Sequence, residues 1–129
     1  MKIATHLEID ARLCGEVESL SEGSCRVVMT TLNSMRADVS GLIHGGFVFG
    51  MADYAAMVAV NHPNVVLGAA ETKFLKPVKV GDTLAAEAQI QERQDKKIFV
   101  AVTVARGEEA VFQGLFTCFV LPRHVLAEG

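Results

Sequence analysis

The longest apolar stretch of the chain runs over residues 43–61, I-H-G-G-F-V-F-G-M-A-D-Y-A-A-M-V-A-V-N. Positions 46–60 hold one charge, Asp53, and one other polar side-chain group, the Tyr54 hydroxyl. A helix that is apolar on every side is enclosed by its domain rather than laid on a surface. At about 1.5 Å per residue it is roughly 22 Å long, short and glycine-rich for a membrane span. The pattern predicts a buried central helix.

Shorter β-branched runs flank it. Residues 16–20 read as a strand, 21–24 as a turn, and 25–32 (C-R-V-V-M-T-T-L) as the hairpin partner. Residues 33–43 read as a loop whose Arg36, Asp38 and Ser40 either wall a site or are simply solvated. Asn61-His62-Pro63-Asn64 breaks the helix. Strands are expected at 65–75, 83–93, 98–105 and 110–121, with turns at 76–82, 94–97 and 106–109. Thr5 with Glu8 three residues on predicts a capped lead helix over 5–13. The polar tail at 122–129 is expected to fray. Two strands, one buried helix and four more strands make an α+β domain. One curved antiparallel sheet wrapped around the helix would cover most of it and leave one side for a partner.

Asp53 is the anomaly on that helix. An ionised carboxylate in apolar surroundings is costly unless paired, hydrogen-bonded or reached by water. Either it caps a loop or pairs with a Lys or Arg, or it has a chemical task. His44-Gly45-Gly46 opens the same helix. The first N–H groups of a helix lack intrahelical acceptors and carry a partial positive charge. Two glycines there let a ligand oxygen come close, the requirement for holding a developing oxyanion. The plainer alternative is a tight turn with His44 as a cap. Asp53 follows Gly46 by seven residues, about 700° of helix, so both share one face to within about 20°. They are also about 10.5 Å apart along the axis. One helix cannot bring both to one reacting atom, whereas two antiparallel helices about a two-fold axis can. The pattern therefore predicts an isologous dimer with two shared sites.

H-G-G-F-V-F-G-M-A-D-Y-A at 44–55, followed by K-F-L-K-P-V-K-V-G-D-T-L at 73–84, resembles the hotdog-fold superfamily, in particular its PaaI-like acyl-CoA thioesterases. The resemblance covers roughly 15–120. It implies a hotdog fold, with homodimers that often pair into tetramers. It also implies an activating or attacking carboxylate at Asp53 and a carbonyl-polarising N–H at Gly45 of the opposite chain. His44 would support the loop or the pocket and Gly46 would permit close approach. Some relatives carry Asn fifteen residues before the carboxylate, and here that position is Asp38. A hydroxyl from the next strand sometimes assists, and Thr72 is the only one available. The substrate implied is a coenzyme A thioester, with no other cofactor and no metal.

The whole chain, 1–129, is read as a single domain with its core at about 15–120. Half of its 129 residues are hydrophobic, which suggests apolar surface between subunits. The net charge of −3 and scattered Lys and Arg argue against nucleic acid. Cys14, Cys25 and Cys118 have neither disulfide-framework nor zinc spacing, so reduced thiols and a cytoplasmic location are expected. No secretory signal or membrane span is read. Glu71 and Lys73 share a strand face and are expected to pair weakly. Lys76, Lys79, Arg93, Lys96 and Lys97 are candidates for an anionic head group, or ordinary solvated cations. His6, His62 and His124 read as surface residues. Two other functions fit the resemblance. One is a non-catalytic acyl-thioester binder, like the effector domains of certain fatty-acid-synthesis repressors. The other is a hotdog dehydratase or hydratase, ranked last because its His-plus-carboxylate signatures are absent.

Overall fold

The computed structural model describes residues 1–127. In chain order it contains α1 (Ala11–Cys14), β1 (Glu16–Ser21), β2 (Ser24–Thr30), a 3-10 turn (Asn33–Met35), α2 (Gly45–Val60), β3 (Val65–Phe74), β4 (Thr83–Gln94), β5 (Lys97–Arg106) and β6 (Glu109–Val120). The strands form one antiparallel sheet in the order β1-β2-β4-β5-β6-β3. Helix α2 lies on its concave face. This is the sheet-around-helix arrangement that the apolar pattern predicts, and the hotdog fold that the resemblance implies.

Alternation decides which face of each strand meets the helix. Cys25, Val27 and Met29 of β2 are buried, as are Leu84, Ala86 and Ala88 of β4. Ile98, Val100, Val102 and Val104 do the same on β5. Each fully buried aliphatic side chain contributes about 1.5–3 kcal/mol. Buried Ala52, Ala55, Ala56 and Ala59 let α2 settle closely on this surface. Register shifts in β1, β3, β4 and between β5 and β6 bend the ladder around the helix. At the β3 shift, a Cβ on Gly68 would lie 2.2 Å from the Phe119 ring, so a side chain cannot be added there without displacing it.

Three local expectations change. The lead helix is one turn, Ala11–Cys14, capped by Asp10 accepting from Arg12 N–H at 2.9 Å. Thr5 caps nothing; its hydroxyl pairs with His6 Nδ1, and residues 1–10 run as an irregular segment. Glu71 and Lys73 form no ion pair and stay exposed, because two long solvated side chains gain little from holding one geometry. The tail forms an exposed turn closed by Ala127 N–H to His124 O at 2.9 Å; residues 128 and 129 of the stretch expected to fray lie outside the described residues. Among the described residues, no helix is long and apolar enough to cross a membrane.

Candidate functional site

The entry to α2 is pinned on both sides. Ile43 N–H donates to Val78 O at 2.8 Å and His44 N–H to Met35 O at 3.0 Å. His44 is the N-cap in extended conformation, but its side chain makes no capping bond. Its ring instead folds towards Gly46, where an added Cβ would lie 3.1 Å from both Cδ2 and Nε2. A Cβ on Gly45 would lie 3.0 Å from Phe74 Cε1. Both glycines are thus places where a neighbour comes close to bare backbone. Phe47 N–H turns back to His44 O at 3.1 Å, while the N–H groups of Gly45 and Gly46 meet no acceptor among the described residues. These are the free donors expected of a helix start.

Asp53 lies two turns further on, half-buried. Its Oδ1 is buried with no hydrogen-bond partner, and the carboxylate forms no ion pair, among the described residues. Neither capping nor pairing therefore accounts for it. Burial pushes its pKa up to about 6. It walls a cleft of about 370 Å³ together with Thr5, His6, Met57, Leu67 and His124.

The other candidates lie apart from this cleft. Asp38 is exposed in the loop before α2, where Oδ1 accepts from Ser40 N–H at 2.9 Å and Ser40 Oγ at 2.5 Å. The Ser40 hydroxyl holds its carboxyl below the ordinary value. Burial alone raises Asp53, and Asp38 adds nothing to that shift within the chain. Thr72 sits on β3 opposite Gly114, with its methyl 3.1 Å from where a Gly114 Cβ would be. It borders a shallow groove on β3, β5 and β6. Among the candidate cations, Lys97 Nζ lies 5.7 Å over the Phe119 ring. Two residues without a sequence signal, His6 and His124, do reach the Asp53 cleft. They sit in stretches with no hydrophobic period, so nothing local could place them.

A profile of the Thioesterase superfamily matches residues 40–113, from the loop before α2 into the start of β6. The chain belongs to this superfamily. An uncharacterised protein from Pyrococcus horikoshii is 50% identical, with TM-score 0.97 over 98% of both chains. The Escherichia coli PaaI protein from the phenylacetic acid degradation operon is 27% identical, with TM-score 0.81 over 91% of this chain and 88% of that one. A methylthioribose-1-phosphate isomerase of Aquifex aeolicus is 51% identical over 94% of this chain but only 27% of its own length. Transcription factor FapR of Caldanaerobacter subterraneus is 28% identical over 92% of this chain and 60% of its own length. The chain thus spans a quarter to three-fifths of these two curated relatives.

Proposed function

We propose that the protein is an acyl-CoA thioesterase whose two sites are shared across a homodimer, with residues 15–120 acting as one folded unit. The observation that carries this reading is the unpartnered, buried Oδ1 of Asp53 on a cleft wall, with its pKa near 6. A carboxylate so placed is ionised at neutral pH yet basic enough to take a proton.

The reaction follows from these parts. A thioester carbonyl lies near Asp53, with its oxygen on the Gly45 N–H of the other protomer. Asp53 removes a proton from water, and the water oxygen bonds to the carbonyl carbon. The charge on the carbonyl oxygen is met by the Gly45 amide and the start of α2. The C–S bond then breaks, and its electron pair leaves on sulfur as a thiolate, which is a good leaving group. Direct attack by Asp53 through an acyl-enzyme is the variant of the same scheme. Gly46 and His44 shape the approach to the amide. Asp38 and Thr72 belong to the substrate side of the joint pocket.

Support for the dimer comes from the sheet. Strand β3 is a ten-residue edge on which Ala69, Ala70, Glu71 and Phe74 are exposed. An edge of this length is a template for pairing with another chain. Pairing with a second copy, and the further pairing of two dimers, is the occupant we assign.

The test is thiol release over a panel of acyl-CoA substrates, wild type beside Asp53→Asn. Turnover by wild type and its loss in the variant support the reading. The second reading, a non-catalytic binder of acyl thioesters, is favoured by the relatives named as transcription factors. It wins if no member of the panel is hydrolysed but one raises the melting temperature.

A further inference from the structure

Residues 2–6 are strapped across the end of α2. Asn61 closes the helix in the left-handed region, φ 52, with its N–H on Met57 O at 2.8 Å. Its side chain accepts from Ala4 N–H at 2.7 Å and donates to Lys2 O at 2.9 Å. Thr5, next along, is only 3% exposed. The backbone then turns at His6 with φ 53, a conformation that costs a non-glycine residue about 1 kcal/mol or more. The strained turn sets the imidazole in the wall of the Asp53 cleft, 6.4 Å from the Tyr54 ring between centroids. Thr5 Oγ1 holds its Nδ1 at 2.8 Å, and Nε2 has no partner among the described residues.

We propose that His6 is the group through which Asp53 exchanges its proton with solvent during turnover. The proposal rests on the hydrolytic reading above. When Asp53 takes a proton from the attacking water, that proton sits on a carboxyl with one enclosed oxygen. The carboxylate has to be restored before the next cycle. In the tautomer whose Nδ1–H donates to Thr5, Nε2 accepts the proton by way of water in the cleft and then releases it to bulk solvent. The imidazole begins and ends neutral, and the carboxylate is restored. Burial lowers the His6 pKa below its ordinary value, which favours the neutral ring. The other titratable groups around the pair are few. His124 borders the same cleft, Tyr54 faces His6, and Cys14 of α1 and Cys118 of β6 lie near Asp53. The two thiols are held up by burial, so neither competes for the proton at pH 7. His124 stands on an exposed turn, where its Nδ1 accepts from Leu126 N–H at 3.0 Å, so the neutral ring carries its proton on Nε2 and has no free nitrogen turned to the carboxyl.

His6→Asn and His6→Gly separate this role from a structural one, because both residues accept the left-handed backbone and should fold at least as well as His. The measurements are kcat and KM across pH 5–9, and kcat with added imidazole. The expected result is a fall in kcat of roughly tenfold or more with KM little changed, and recovery by imidazole in the glycine variant. Thr5→Val, which removes the bond to Nδ1, should fall between. Wild-type kcat in both His6 variants, or a loss that imidazole leaves untouched, overturns the proposal while Asp53→Asn still reports on the hydrolysis itself. A wild type that releases no thiol overturns both.

Discussion

Gly45 and Phe74 meet where α2 begins: an added Cβ on the glycine would come within 3.0 Å of the ring's Cε1. The contact puts the free amide of Gly45 beside an aromatic wall that is itself 58% exposed. Gly45 is the first helical residue, the position where proline is best tolerated because its missing N–H has no helical acceptor. Gly45→Pro should therefore fold, with the exposed Phe74 ring shifting slightly. Its kcat should drop about 10²–10³-fold if that amide holds the oxyanion. Gly45→Ala keeps the N–H and should lose less. Steady-state kinetics of the pair check this, and equal losses would assign the effect to crowding alone.

With Asp53 as the base of the proposed reaction, both activity and stability should depend on pH. Its folded pKa of about 6 stands above the ordinary carboxylate value. The folded chain therefore binds more protons than the unfolded chain between about pH 4 and pH 6, and stability falls as pH rises through that window. Activity runs the other way, because the base must be ionised, so kcat should rise to a plateau with an inflection near 6. Asp53→Asn should cut kcat by at least about 10²-fold. At pH 7 it should also stabilise the fold by about 1–2 kcal/mol, the exposed part of the carboxylate being screened by water. Thermal melts at pH 4.5 and pH 7.5 test the sign: the variant should gain over wild type only at the higher pH.

The β3 edge carries the dimer prediction. Leu75 N–H bonds Val111 O on β6, so by alternation the amides of Ala70 and Thr72 point to the open edge. Ala70→Pro removes one such donor while leaving the β6 ladder intact. Sedimentation should show a dimer for wild type and a weakened one for the variant. Activity should fall in parallel under the proposed scheme, in which each site needs two chains. Full activity in a proven monomer would end the shared-site scheme.

Asn61 gives a separate test of the strap. Asn61→Gly keeps the left-handed turn but loses both side-chain bonds to residues 2 and 4. Asn61→Ala loses the bonds and adds backbone strain. Losses of about 1 kcal/mol and about 2–3 kcal/mol are expected in turn. Hydrogen exchange should rise at residues 2–9 before it rises in α2.

The framework was legible because one period ran through each element. The all-round apolar run gave α2 nearly to its ends, and β-branched alternation gave six strands within a residue or two. Asp53 stood out as the lone charge in a run that excludes charge, and the structure leaves its Oδ1 unpaired. The strap was not legible. Thr5 and Glu8 fit a capping pattern, but Asn61, more than fifty residues away, holds the backbone at residues 2 and 4 out of a helix. Long-range bonds of this kind have no local period, and so His6 and His124 looked like surface residues. The roles proposed for Gly45, Asp38 and Thr72 would turn on a second chain, whose residues no spacing within one chain can locate.

Stretches near both ends of the described chain, at Thr5–His6 and at His124–Val125, border the space beside Asp53. A purification handle fused at either terminus would therefore hang close to the entrance. Affinity tags should be removed before ligand screening, and tagged and untagged material compared first.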